Sequence, residues 1–161
     1  MKKKILLVNP WIYDFAAYDF WVKPLGLLYI ASFLRFNGYH IEFIDCHDPW
    51  HPHMRKDLSR HLPRRFTTGR GKYFKEIVPK PEPLKEIPKN YHRYGITPQI
   101  FRDMLRSLPR PDLILVTSMM TYWYPGVFTA IEILKGVMPG IPVVLGGNYV
   151  SLCPHHASLS G

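Results

Sequence analysis

Cysteine is scarce in this chain, long apolar runs are missing, and the glycine patterns that cradle phosphates do not occur. Only Cys46 and Cys153 are found among 161 residues. In the strand order inferred below they follow strands about three sheet spacings, or ~14 Å, apart, too far for a direct disulfide. The chain therefore reads as reduced and cytoplasmic. Residues 1–9 carry three lysines followed by only four apolar residues, too few for a signal-peptide core. No segment approaches membrane-spanning length. No GxGxxG follows the first apolar run, and no GxxxxGK precedes a Ser or Thr anywhere. Gly69-Arg70-Gly71-Lys72 has no strand before it and is not a phosphate loop, so the familiar modes of nucleotide binding are disfavoured.

The net charge of +9 hides an asymmetry. Residues 51–110 hold 15 of the 21 Lys and Arg and 5 of the 12 Asp and Glu, a balance of +10. The remainder carries 6 basic and 7 acidic residues, a balance of −1. A nearly neutral fold thus contains one basic segment. The length suits a single domain with a real core, and an apolar share of 47% is ordinary for a globular chain.

Lys4 to Pro10 reads as a buried first strand, closed by a proline that cannot continue a central strand. An aromatic loop follows from Trp11 to Lys23, expected either to roof the sheet edge or to meet a ligand or partner. Pro24 suits a first helical turn, and Leu25 to Phe36 reads as a helix apolar nearly all round, stopped by Asn37-Gly38. Ile41 to Ile44 is the second strand. Thr97-Pro98 opens a short helix with Ile100, Phe101, Met104, Leu105 and Leu108 on one face. Leu113 to Thr117, Pro125 to Val137 and Ile141 to Leu145 read as strand, helix and strand.

Repeated strand–helix–strand units require right-handed crossovers and a parallel sheet. The expected fold is α/β, a three-layer Rossmann- or flavodoxin-like parallel sheet of order 2-1-3-4. Such folds normally carry a fifth strand, so residues 1–161 read as one domain cut short at its carboxyl end. Between Asp48 and Thr97 regular structure is hard to assign. Eight prolines fall within 51–110, with Pro79, Pro81 and Pro83 at alternate positions. Residues 48–97 are read as an irregular, basic, proline-rich insertion.

Ligands of open parallel sheets bind at the carboxyl ends of the strands. Two ends stand out, Val116-Thr117-Ser118-Met119-Met120 and Val143-Val144-Leu145-Gly146-Gly147-Asn148. A hydroxyl beside a glycine pair suits a large flat ligand against the sheet edge. The plainer reading is that Ser118 caps a turn and the glycines merely bend the chain. Gly26 inside a helix costs up to about 1 kcal/mol relative to Ala, so a close approach by a backbone or a ligand is expected there. Asp45-Cys46-His47 with His51 and His53 lacks the tight Cys/His pairing of known metal sites, and Asp45 reads as a loop cap. No metal ligand and no catalytic residue is assigned.

Taken together, Leu6 to Pro10, Lys23 to Ala31, Leu115 to Gly126 and Val144 to Tyr149 resemble the amino-terminal cobalamin-binding domain of cobalamin-dependent radical S-adenosylmethionine enzymes. Ser118-Met119-Met120 is similar to the SxL element of cobalamin domains, with Met in place of Leu, and Gly146-Gly147 matches their glycine pair. The resemblance implies cobalamin over the strand ends, lined by Leu25, Gly26, Thr117, Ser118, Tyr122, Gly146, Gly147, Asn148 and Tyr149. It places Ser118 near the dimethylbenzimidazole tail. The DxHxxG element of such domains is missing after the first strand, where Trp11-Ile12-Tyr13-Asp14-Phe15 stands. Asp45-Cys46-His47 has related letters after the wrong strand. Base-off binding without a histidine ligand is what this implies. The CxxxCxxC of the radical module, three thiolates on a 4Fe–4S cluster, does not occur. The chain is then a binding module, and the cluster and S-adenosylmethionine belong to a downstream radical domain.

A reading from another class is a non-enzymatic interaction domain. In it the basic, aromatic-studded Arg64, Arg65, Phe66, Arg70, Lys72, Tyr73, Phe74 and Lys75 contact RNA or an acidic protein. A solvated loop packed on another domain has the same composition, and nucleic acid is not the expected partner. A flavodoxin-like or receiver-like regulatory domain ranks last, because no cluster of acids closes the first strand.

Overall fold

Four short apolar runs pair side by side, and the segments between them fold as helices or as a second, smaller sheet. The computed structural model describes residues 2–57 and 62–160. In chain order the elements are β1 (Lys4–Asn9), β2 (Ile12–Asp14), α1 (Leu25–Phe36), β3 (His40–Asp45), α2 (Pro52–Asp57), β4 (Lys75–Ile77), β5 (His92–Tyr94), α3 (Pro98–Ser107), β6 (Leu113–Val116), α4 (Tyr124–Val137), β7 (Val143–Leu145), α5 (Asn148–Leu152) and α6 (Pro154–Ala157).

The main sheet runs β3-β1-β6-β7 and is parallel throughout, with Ile5 opposite both Ile41 and Leu113. The α/β class and the parallel sheet agree with the sequence pattern. Successive strand residues point to opposite faces. Leu6, Val8, Ile114 and Val116 join Phe101, Leu105, Ala130 and Leu134 of α3 and α4 in the larger core. Ile5 and Leu7 meet Leu27 of α1 on the other face.

Local signals set the helix ends. Thr97 Oγ1 accepts from the Ile100 N–H at 3.3 Å, and Pro98 occupies the first turn of α3. Gly38 ends α1 with a φ of +86°. Leu27 is the fully buried residue of α1, whereas Leu25, Tyr29, Phe33 and Phe36 are exposed, Phe36 by 91%. A helix apolar all round is buried when neighbours surround it. Here only one side is covered.

The expectation of an irregular insertion is corrected by a second sheet. β2, β5 and β4 pair antiparallel in that order, Ile12 opposite Tyr94 and Arg93 between Tyr13 and Glu76. The start of the supposed aromatic loop is therefore a buried strand, with Trp11 and Ile12 almost wholly enclosed. Trp11 Nε1–H donates to the Ile96 carbonyl at 2.6 Å, and the Ile96 N–H donates to the Cys46 carbonyl at 2.9 Å. Residues 51–97 thus form a cap tied to the carboxyl ends of β1 and β3, apart from positions 58–61, which lie outside the described residues. An ion pair anchors the cap from within: Asp19 and Arg65 meet with side-chain exposures of only 7% and 6%. Both cysteines are free, Cys46 fully buried and Cys153 half-buried. Among the described residues no helix is long and apolar enough to cross a membrane.

α4 closes against β2 through Tyr13 and Thr129, whose hydroxyls lie 3.2 Å apart, and through Gly126. A Cβ at Gly126 would sit 2.1 Å from the Trp11 carbonyl oxygen. Gly126→Ala should therefore destabilise the protein by about 1–3 kcal/mol through overpacking. Gly136 lies in the same helix with nothing within 4 Å of its Cβ position. Gly136→Ala should stabilise by about 0.5–1 kcal/mol. Urea unfolding midpoints of the two variants should move in opposite directions.

Candidate functional site

The two strand ends singled out in the sequence form one hydrogen-bonded seam. The Thr117 N–H donates to the Val8 carbonyl at 3.1 Å, and the Gly146 N–H donates to the Val116 carbonyl at 2.9 Å, extending the sheet past its last strand residues. Ser118 is buried, and its Oγ donates to the Gly146 carbonyl at 2.7 Å. The Asn148 N–H returns to the Ser118 carbonyl at 3.0 Å. Gly147 has a φ of +94°, and a Cβ there would lie 2.1 Å from the Ser118 oxygen. That position requires glycine twice over, for its conformation and for the contact. Ser118 and Gly147 thus lock the end of β6 to that of β7.

The other residues of the set divide between open surface and core. Leu25 is 65% exposed and Tyr122 54% exposed, and Asn148 is also exposed. Nothing lies within 4 Å of a Cβ position at Gly26 or Gly146. The close approach expected at Gly26 is therefore not made by any described part of the chain, because the face of α1 that carries it is uncovered. Tyr149, expected on the rim, is turned into the core. It is 1% exposed, packs near Tyr124 and Phe128, and shares a hydrogen bond of 2.6 Å with His156 Nδ1. Its aromatic ring fills the space beneath α5, so it lines no open face.

Cobalamin can be weighed against this geometry. The rim offers a glycine floor at Gly146, apolar surface at Leu25 and Val144, and a free-standing amide at Asn148. Those features fit the broad face of a flat ligand. A slot for an inserted tail is not open: the space among Asn9, Pro10, His47, Ser118, Met119 and Trp123 is about 10 Å³, at the lower limit for one water. Insertion there requires the Ser118–Gly146 hydrogen bond to break.

A second cluster, built on Asp45 and His47, sits where the cap meets β3. Asp45 does act as a loop cap, its Oδ1 accepting from the His47 N–H at 3.0 Å. The same oxygen accepts from Asn9 Nδ2 at 2.8 Å, and that nitrogen lies 3.2 Å from His47 Nδ1. Burial pushes the His47 pKa down from 6.5, against the opposing pull of Asp45, so the ring is neutral. Burial also raises the Cys46 thiol well above its usual range, which keeps it an inert, protonated core group. No group of three or more metal-ligating side chains is gathered among the described residues. Of the basic segment, Arg65 and Tyr73 are built into the interior, while Arg64, Phe66, Arg70, Lys72 and Lys75 remain exposed. His47 was within reach of sequence reasoning as a polar residue at a strand end. Its partner Asn9 and the pairing of Asp19 with Arg65 left no local signal.

No protein-family model matches this sequence, and neither the curated proteins nor the solved structures contain a match.

Two outcomes test the geometry. Gly147→Ala should cost about 1–3 kcal/mol of stability, since the backbone strain is compounded by a clash. Gly146→Ala should stay within about 0.5 kcal/mol of the native protein, as a surface change does. Because the folded state holds His47 neutral, the unfolded chain binds the extra proton as pH drops below 6.5. His51 and His92 shift the same way by burial. Stability should therefore fall on acidification from about pH 7 to about pH 5, and His47→Gln should flatten that slope.

Proposed function

We propose that this chain is the cobalamin-binding module of a radical S-adenosylmethionine enzyme, a methyltransferase or an enzyme of related radical chemistry. The observation that carries the reading is the rim at the ends of β6 and β7, where a Cβ at Gly146 would meet nothing within 4 Å and Val144 and Asn148 are exposed. Gly26 and Leu25 present a second bare stretch in the first turn of α1. When bound, cobalamin supplies a cobalt centre that carries a methyl group or modulates radical chemistry. The residues of this chain do the holding. Leu25, Val144 and Tyr122 give apolar contact, Asn148 gives an amide for polar substituents, and Ser118 with Gly147 keeps the two strand ends in register.

On this reading the main sheet is the doubly wound, flavodoxin-like sheet of cobalamin domains, in the order 2-1-3-4 of its parallel strands. Cobalamin is held base-off without a protein histidine. The 4Fe–4S cluster and S-adenosylmethionine come with a radical domain acting in cis or in trans, and the setting is cytoplasmic. The capped segment 48–97 is an elaboration outside the corrin face.

Hydroxocobalamin added to the purified chain, followed by desalting and a visible spectrum, tests the proposal. Retained corrin absorbance is expected, and Gly146→Leu should abolish it while leaving the fold intact, because the side chain has room. A colourless, folded wild-type protein overturns the reading. It would favour the interaction-domain alternative, whose signature is RNA or acidic-protein binding that weakens steeply with salt.

A further inference from the structure

Beneath the cap lies a cavity of about 240 Å³ that the cobalamin reading does not use. Its walls include His47, Trp50, Arg65, Lys72, Tyr73 and Phe74. The hydrogen bonding of the two buried polar residues in that wall is incomplete. One Nη of Arg65 serves the Asp19 carboxylate and the Gly69 carbonyl, and the other reaches the Lys72 carbonyl at 3.2 Å. Arg65 Nε–H is buried and has no acceptor among the described residues.

His47 is in the same position. Asn9 Nδ2 must donate to Asp45, a carboxylate that only accepts, so the amide orientation is fixed and His47 Nδ1 is an acceptor. The neutral ring then carries its proton on Nε2, which is buried with no partner among the described residues. The Pro10 carbonyl favours the protonated ring without reaching hydrogen-bond geometry at Nε2. The buried Arg65 Nε–H, on a residue of the cavity wall, is costly without an acceptor unless something supplies oxygen or nitrogen lone pairs. The His47 ring, with the Pro10 carbonyl near it, stands in the same wall.

The space around them is aromatic. Arg65 Cζ stands 5.6 Å from the Trp50 ring centre and 6.0 Å from that of Tyr73. The His47 and Tyr73 ring centres are 5.8 Å apart. Lys72 is exposed and adds a positive charge at the rim. Asp48 also borders the cavity, with Oδ1 accepting from the Trp50 N–H at 2.9 Å. An open groove of about 950 Å³ adjoins the cavity along Pro63, Lys72, Tyr73 and Phe74 and gives it a face toward solvent.

We propose that this cavity binds a small planar carboxylate, a single-ring aromatic acid. Its oxygens accept from Arg65 Nε–H and His47 Nε2–H, and its ring lies against Trp50 and Tyr73. The volume falls below the roughly 300–1,000 Å³ of pockets for larger ligands, which limits the guest to about one ring. A bare oxyanion would satisfy the donors and leave the aromatic walls unused. The site shares His47 with the small space beside Ser118 but does not depend on cobalamin binding at the rim.

The test is titration of the ¹⁵N-labelled full chain with benzoate and, separately, with inorganic phosphate, observing the Arg65 Nε–H and His47 Nε2–H resonances. Benzoate in the millimolar range should move both downfield. Trp50→Ala should weaken that binding about tenfold by removing a stacking face. Lys72→Gln, at the exposed rim, should weaken it about threefold and guards against loss of fold in the first variant. Unchanged Arg65 and His47 signals at millimolar benzoate overturn the proposal. So does phosphate binding as tightly as benzoate with no effect of Trp50→Ala, which would make this a simple anion site.

Discussion

The buried pairing of Asp19 with Arg65 is the constraint on which the upper half of the molecule depends. Two charges survive in an interior only when their remaining hydrogen-bonding capacity is met, and losing one partner typically costs about 3–5 kcal/mol. Here the chain around them meets most of it, Arg65 Nε–H being the exception among the described residues. Asp19 also accepts from the Val22 N–H at 3.3 Å and from the Tyr73 hydroxyl, and its backbone exchanges hydrogen bonds with Gly71 at 2.9 and 3.2 Å. Arg65 draws in the Gly69 and Lys72 carbonyls. One ion pair thereby fixes the segment after β2 to the turn at 65–72, and with it the position of Trp50 and Tyr73 over the end of β3.

At the carboxyl ends of β6 and β7, on the same edge of the sheet as the cap, a different arrangement operates. Ser118 spends its hydroxyl on the neighbouring strand, and Gly147 allows the two backbones to touch. The bare surface starts only one residue away, at Gly146. Rigidity and accessibility are thus divided between adjacent positions of the same motif: one glycine permits packing, the other leaves space. The same division appears on α1, where Leu27 seals the smaller core and Gly26 beside it faces outward.

The parallel sheet was legible because each main strand is rich in apolar residues and stops at Pro, Asp, Gly or a hydroxyl pair, and such punctuation is local. The ends of α1 and α3 were legible for the same reason, from Asn37-Gly38 and Thr97-Pro98. The cap was not. β2, β4 and β5 have three residues each, too few for alternation to register, and β2 finds its partner far along the chain. Proline spacing around Pro79 to Pro83 signalled extended backbone, which holds at Pro81 but not at Pro83, part of a 3-10 turn over Glu82–Leu84, and it concealed the strand just before it. At the strand ends the sequence singled out Ser118 and the glycine pair, which the fold brings together. It did not identify their directions, because where Ser118 Oγ and the Tyr149 ring point is decided by the Gly146 carbonyl and His156, through contacts that only the folded chain supplies.

The pairing of β2 with β5 carries a consequence for the order of assembly. Ile12 reaches Tyr94 only after the whole intervening segment has been drawn into a closed loop, an entropic cost met before the contact returns anything. β1, α1 and β3 join over short separations and are free to form early, whereas the cap must wait for a remote strand. Elements held by few, distant contacts are also the first to open under native conditions. On this topology the cavity between Trp50 and Arg65 is expected to form after the parallel sheet and to open without unfolding it.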